Sequence, residues 1–286
     1  MELSTSLNLA MRTKNAWNVD FGYTATDAMK ALMKYGYYVF DFNYGDYVRG
    51  GDSPMLSGEY VQWAKEIRKF ADKNGIRIHQ AHGHQFEVTR WDEAFNKKMI
   101  NRCIECAKIM GVEWMVFHPY PYREKSFEEN SKRSIEKFDW IVPAAAKAGV
   151  GICIENMPFD WSFSKTEDVI DLCDRYSGYK VGVCWDTGHG LCSGSNQTES
   201  ILKIGDRLKV LHINDNYCSG DNHLMPFFGF IDWKEVVSAL EKIDYKGTFN
   251  YEIHGAVNGV PYELREDIYA LTAKVGKYII DNYCNK

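Results

Sequence analysis

Short apolar runs alternate with stretches of helical periodicity along almost the whole chain. Residues 3–9, 37–42, 76–82, 113–118, 150–155, 181–186, 208–213 and 248–252 form the runs, each of strand length. The stretches between them carry helix punctuation. Thr24-Ala25-Thr26-Asp27 has capping-box spacing, with Gly36 as the stop; Gly75 and Gly111 close helices predicted over 57–74 and 91–110. Further helices are predicted over 126–148, 198–205, 232–243 and 262–283, and Ser164-Lys165-Thr166-Glu167 and Asp232-Trp233-Lys234-Glu235 read as capping boxes. Gly45, Gly50, Gly51 and Pro54 mark one loop, Pro119 and Pro121 another. Alternating strands and helices imply parallel βαβ units, and eight such units close a (β/α)8 TIM barrel. No linker or low-complexity segment interrupts the pattern, so residues 1–286 read as one domain.

Successive strand residues face opposite sides. Turning Glu155 inward brings Cys153 and Gly151 inward and sends Ile154 and Ile152 toward the helices. Asp186 does the same for Cys184 and Gly182 against Val183 and Val181. The expected interior is narrow, under a polar mouth. Gln80, His82 and His84 share one face on this pattern, so either histidine could reach the mouth; His79 falls on the other face, as a structural residue.

Parallel barrels place their chemistry at the C-terminal ends of the strands. Glu155, Asp186, His212 and Glu252 stand at or just after such ends, in successive strand–helix units. Two glutamates, an aspartate and a histidine converging on one mouth suit a divalent ion: Mn, Co, Mg or Zn. His82, His118, His189, Asp221 and His223 are further candidates at the same face.

Composition narrows the classes. A chain of 286 residues with 45% hydrophobic and 26% charged residues fits one ordinary globular barrel, and a net charge of −5 argues against a nucleic-acid surface. The start lacks a signal peptide's basic segment and apolar core, and no apolar run approaches the roughly 20 residues needed to span a bilayer. A cytoplasmic, membrane-free protein with reduced thiols is expected from its eight scattered cysteines. Cys103 and Cys106 lie on a predicted helix with no second pair, which favours packing over a redox or zinc role. Tyr120, Tyr122, Trp161, Phe163 and Phe228 lie in loops beside the candidate ligands, where flat rings suit the C–H faces of sugars; alternation turns Trp185 away.

The segments Ile154-Glu155-Asn156, Asp186-Thr187-Gly188-His189, His212-Ile213-Asn214-Asp215, Asp221-Asn222-His223, Ile231-Asp232-Trp233 and Tyr251-Glu252-Ile253 occur in this order. Together they resemble the xylose isomerase-like TIM-barrel superfamily, which includes sugar isomerases, sugar epimerases and the endonuclease IV enzymes. The resemblance covers nearly the whole chain. It implies one divalent ion held by Glu155, Asp186, His212 and Glu252, as in the ketose 3-epimerase branch. It also implies that Glu155 and Glu252 act as acid and base from opposite sides of a sugar, and that His189 meets a substrate oxygen. The implied reaction is isomerisation or epimerisation through an enediolate. Its developing charge needs a cation, and its proton needs a base and a returning acid. Relatives of this kind often form homo-oligomers.

The same resemblance keeps a second reading open. Endonuclease IV enzymes bind three zinc ions, and their ligand pattern also uses positions matching His82, His118, His189, Asp221 and His223. In a zinc-dependent phosphodiesterase Glu155 would bridge two metals. A metal-dependent lyase or dehydratase would use the same base, and a non-catalytic metal- or sugar-binding barrel is a third class. One segment departs from the pattern. Relatives carry Pro-Gly-x-Gly after the D-x-H segment, whereas this chain has Pro226-Phe227-Phe228-Gly229. A different backbone path and aromatic bulk near the mouth are expected there. No glycine-rich phosphate loop is evident, which favours an unphosphorylated substrate.

Overall fold

In the computed structural model, which describes residues 1–15, 18–20, 22–48, 53–85 and 92–284, eight strands run parallel. They are β1 (Glu2–Ser6), β2 (Val39–Asn43), β3 (Arg77–His82), β4 (Trp114–Phe117), β5 (Gly151–Glu155), β6 (Val181–Asp186), β7 (Leu208–His212) and β8 (Thr248–Tyr251). Each pairs with its sequence neighbours, and β8 returns to β1. The remaining seam, β7 to β8, is closed just beyond the strand end: Ile213 N donates to Asn250 O at 2.7 Å, and Glu252 N donates to Ile213 O at 3.0 Å. The result is a single-domain (β/α)8 TIM barrel.

Nine α-helices lie among the described residues: α1 (Ala25–Met33), α2 (Tyr60–Asn74), α3 (Glu93–Met110), α4 (Phe127–Ala148), α5 (Thr166–Asp174), α6 (Thr187–Cys192), α7 (Gln197–Ile204), α8 (Trp233–Lys242) and α9 (Arg265–Tyr283). None is long and apolar enough to cross a membrane. Their ends follow the punctuation closely. Thr24 and Asp27 form the capping box of α1, and Gly75, Gly111 and Gly149 end α2, α3 and α4 in the left-handed conformation. Asp232 caps α8 by accepting from Lys234 N and Glu235 N.

Several elements differ from expectation. The first strand stops at Ser6, whose hydroxyl caps a 3-10 turn over Leu7–Leu9. Ser164 does not cap α5; the helix starts one residue later, behind Lys165, and the Thr166 hydroxyl is bonded to Ser200 instead. The short helix α6 has no counterpart among the expected elements. Asp92 caps α3 by accepting from Phe95 N, while Trp91, its expected first residue, lies outside the described residues with Gly50 and Gly51.

Two apolar layers share the strands. Ile152, Ile154, Val183 and Leu211 pack outward in the large core under the helices. Trp114, Val116, Cys153, Cys184 and Val210 form a separate cluster inside the barrel. The inward glycines leave room for large neighbours: a Cβ at Gly151 would fall 2.4 Å from the Trp114 ring, and one at Gly182 would fall 2.3 Å from Lys209 Cγ. The narrow interior follows from that pairing of small with large.

Strict alternation fails at two points in the barrel: Val183 pairs with Leu208 but Cys184 with Val210, which makes Lys209 an extra residue in β7, and β3 holds the other. Phe40 pairs with Ile78 but Asp41 pairs with Gln80, so His79 is an extra residue in β3. Such a bulge breaks the period-two rule. His79 therefore does not lie on the helix side; it lines a cavity of about 500 Å³ at the N-terminal mouth, together with Arg77, Trp114 and Lys209.

Candidate metal centre

Glu155, Asp186 and His212 are the last residues of β5, β6 and β7, and Glu252 follows β8 directly. Asp186 sits opposite His212 in the β6–β7 register. One ligand atom from each of the four lies within 4.8 Å of the others. Glu155, Asp186 and His212 are fully buried, and Glu252 is nearly so.

Local bonds fix these side chains. Asn156 ties the ends of β5 and β6 together, accepting from Asp186 N at 2.7 Å and donating to Asp186 O at 3.0 Å. Asp186 caps α6: its Oδ1 accepts from His189 N at 2.7 Å and its Oδ2 from Asn214 Nδ2 at 2.8 Å. The other two residues of the Asp-Thr-Gly-His segment serve the same contact. Thr187 Oγ1 donates to Asn214 O, and Gly188 leaves the space that the Asn214 amide occupies, 1.8 Å from where a Cβ would stand. His212 Nδ1 lies 2.9 Å from Glu155 Oε1 and 3.2 Å from Glu252 Oε2, while Nε2 faces Asp41 Oδ2 at 3.5 Å. Asp41 is not among the sequence candidates. Its only signal is a lone acid inside the apolar strand over 37–42.

Two further groups share this mouth. His82 and His118 bring their Nε2 atoms within 3.1 Å of each other, and these lie 3.4 and 3.1 Å from Glu155 Oε2. On the other side, His189 Nε2 and His223 Nε2 lie 3.2 and 3.0 Å from Asp221 Oδ2. Their Nδ1 atoms donate to Asn156 O and Glu252 O. A ring committed through Nδ1–H presents a lone pair at Nε2 unless it is protonated. Two such rings aimed at one carboxylate call for protons or a cation. His84 is excluded from the mouth, because its Nε2 is bonded to Asn96 on α3.

The charges are far from balanced. Burial lifts the Glu252 carboxyl to about 7 and raises Asp186. Burial also disfavours ionised Glu155, but the adjacent His212 and His118 outweigh it and hold Glu155 well below the usual carboxylate range. Burial lowers His82 to about 3, whereas Asp186 and Asp221 hold His189 well above its ordinary value against burial. Glu155 Oε2 has no aligned hydrogen-bond donor among the described residues. Three buried carboxylates around one imidazole, with an orphaned oxygen, are the donor set of a divalent-cation site. The chain's residues fit such an ion.

The loop after β7 is organised by Asp215. This buried carboxylate accepts from Asn216 N, Phe227 N, Ile231 N and Trp233 Nε1 at 3.0 to 3.1 Å. Phe227 takes φ 74°, the left-handed region that favours glycine. The phenylalanine thus occupies a conformation that favours glycine. Phe227, Phe228 and Phe230 are exposed. Trp185 points outward as alternation requires and donates to Gln197 on α7. Phe163 is buried, and His254 stacks on His223 with ring centroids 4.2 Å apart.

Known proteins with this architecture include sugar epimerases and isomerases. The chain is 31% identical to a D-psicose 3-epimerase of Enterocloster bolteae over 195 residues, 64% of this chain and 63% of that protein. It is 24% identical to an inosose isomerase of Bacillus velezensis over 179 residues, 60% of each. These matched stretches span less than two thirds of either relative. Among solved structures, the IOLI protein with a bound zinc atom superposes with a TM-score of 0.77 at 20% identity, over 100% of both chains. A D-allulose 3-epimerase from Methylomonas sp. in complex with D-allulose gives 0.74 at 18% identity, over 99% of this chain and 97% of that one. Both show a shared fold. Residues 29–274 match the family described as xylose isomerase-like TIM barrel, and the chain belongs to it.

Proposed function

We propose that this protein is a divalent-metal-dependent isomerase or epimerase of a sugar or sugar derivative. The observation that carries the reading is the convergence of Glu155, Asp186, His212 and Glu252 within 4.8 Å at the barrel mouth. These four residues would hold the ion, which when bound would polarise a substrate carbonyl. The two glutamates then divide the proton work. Glu155, kept ionised by His212 and His118, is suited to take a proton from the carbon beside the carbonyl. Glu252, lifted to about 7, is suited to return one. Asp41 faces the far nitrogen of His212 and would hold that ring in register. His189, fixed by Asn156, would meet a substrate oxygen. The D-psicose 3-epimerase and inosose isomerase relatives support the sugar class.

Glu155→Gln and Glu252→Gln test this division. Each should cut turnover by about 100-fold or more in a screen of ketoses and aldoses, with folding unchanged. Wild-type turnover in either variant would end the two-glutamate mechanism.

A specific observation favours a second reading. The groups His82/His118/Glu155 and His189/Asp221/His223 each bring ligand atoms within 4.8 Å, so the mouth has donors for more than one ion. Such a donor set would suit a multinuclear zinc phosphodiesterase. Elemental analysis separates the two: one ion per chain supports the isomerase, two or three the hydrolase.

A further inference from the structure

Helices α3 and α4 leave a cavity of about 530 Å³ between them, outside the barrel mouth. Arg133, Glu136, Lys137 and Trp140 line it from α4, and Lys97 lines it from α3. Steps of three and four residues put the α4 set on one stripe of that helix. The buried Tyr120 lines the cavity from the loop after β4. Lys97 is answered by Glu93 at 2.6 Å. Arg133 and Lys137 have no carboxylate within ion-pairing distance among the described residues, so these two cations stand against Glu136 alone.

Lys137 is the anomaly. Its side chain is buried, yet only one of its three N–H donors finds an acceptor among the described residues, His118 O at 2.9 Å. The Phe117, Tyr120 and Phe138 rings lie 5.5, 5.7 and 5.7 Å from Nζ and offer the ammonium their faces. Rings ease a positive charge but do not replace a counter-ion. A buried charge left in this state costs free energy until an opposite charge meets it.

We infer that the cavity between α3 and α4 binds a small oxyanion, the carboxylate or phosphate group of a small molecule, with Lys137 and Arg133 as its donors. Residues four apart on a helix are neighbours, so one oxyanion can touch both. Arg133 would supply the planar fork that fits two oxygens, and Lys137 a point charge. Trp140 and Tyr120 offer flat apolar surface to the body of the ligand. Glu136 and a net charge of −5 set the site against a polyanion.

The same helix holds the loop that carries His118. Tyr120 N donates to Ser134 Oγ at 2.9 Å, Asn130 Nδ2 donates to Tyr122 O at 2.7 Å, and Lys137 holds His118 O. An anion that shares Lys137 would therefore shift His118, whose ring lies 3.1 Å from Glu155 Oε2 at the mouth. That effect on turnover rests on the isomerase reading; the binding itself does not.

The test titrates the full chain at fixed ionic strength with inorganic phosphate and, separately, with benzoate. A pH of about 6 keeps Lys137 charged, since burial pushes it down to about 7. Isothermal titration should show saturable binding of at least one probe, and the tighter one tells a phosphate from a carboxylate source. Arg133→Gln, at an exposed position, should weaken that binding about 10-fold, and Lys137→Met should remove it. Lys132→Gln, exposed on the same helix but outside the cavity, should leave it unchanged. No saturable binding of either probe, binding that survives both Arg133→Gln and Lys137→Met, or an equal loss in Lys132→Gln would overturn the proposal. With the tighter anion bound, KM for the sugar that the screen identifies should shift several-fold in the wild type. An unchanged KM would overturn the link to His118. If no sugar is turned over with or without the anion, the isomerase reading fails while the titrations still decide the site.

Discussion

Gly188→Ala probes the link between packing and the proposed metal site without touching a candidate ligand. The added Cβ would lie 1.8 Å from Asn214 Oδ1 and 2.9 Å from its Cγ, where ordinary contact begins at 3.4 Å. The amide must retreat by more than an ångström. Asn214 is fully buried, and its Nδ2 donates at 2.8 Å to Asp186 Oδ2. Overpacking of this kind costs about 1–3 kcal/mol, and a lost bond to a charged group about 1.5–3 kcal/mol. Because one movement produces both, a total of about 3 kcal/mol is expected, or roughly 5–10 °C in Tm for a chain of this size. Asp186 would then lose one of its two orienting donors, and such outer contacts are worth about 10–100-fold in metal affinity. Differential scanning fluorimetry reads the first effect, and isothermal titration with Mn or Zn reads the second. A variant with wild-type Tm and wild-type affinity would refute the claim that Gly188 exists to admit Asn214. Lost stability with unchanged affinity would refute the role of Asn214 in holding Asp186.

Two other sites give sharp expectations. Lys137 on α4 is buried over the rings of Phe117, Tyr120 and Phe138, donates to His118 O at 2.9 Å, and is pushed down to about 7 by burial. Between about 7 and 10.5 the unfolded chain holds a proton that the folded chain has released, so this residue makes stability rise with pH across that window. The wild type should gain on Lys137→Met by a few kcal/mol from pH 7 to pH 10 in parallel melts; parallel curves would show that Lys137 keeps its ordinary affinity for the proton. Phe227→Gly relieves a left-handed residue at a cost of about 1–2 kcal/mol to any L side chain, and should leave Tm equal or slightly higher. A fall of several degrees would mean that the Phe227–Tyr278 ring contact outweighs the strain.

The barrel is legible in the sequence because its strands are buried on both faces and its helices are punctuated by glycines and caps, each a local signal. The convergence of Glu155, Asp186, His212 and Glu252 is legible on equally local grounds: a polar residue that closes an apolar run stands where a parallel barrel gathers its chemistry. Contextual features are not. Alternation puts His79 on the wrong face because it assumes an unbroken ladder, and a one-residue bulge leaves no mark on composition. Asp41 escapes the same rule because it stands inside a strand instead of at its end, although its partner His212 comes from the opposite side of the barrel. Helix α6 escapes because six residues containing two glycines have little helical propensity; it forms because Asp186 caps it and Asn214 packs on it. The choice between His82 and His84 depends on Asn96, a residue on another element.

The bonds around Asp215 separate two properties that loops usually confound. Three of its four donors are main-chain N–H groups, from Asn216, Phe227 and Ile231. Main-chain donors are indifferent to the side chains they carry, so the tether survives exchange of the exposed rings Phe228 and Phe230, though not of Gly229, where a Cβ would fall 2.3 Å from Asp215 Oδ1. Evolution is thereby free to rewrite the aromatic rim of this loop, trading Phe228 or Phe230 for a polar residue, while the carriage that delivers Asp221 and His223 keeps its course. Divergence in what the mouth accepts would then come from this segment first, at little risk to the chemistry beneath it.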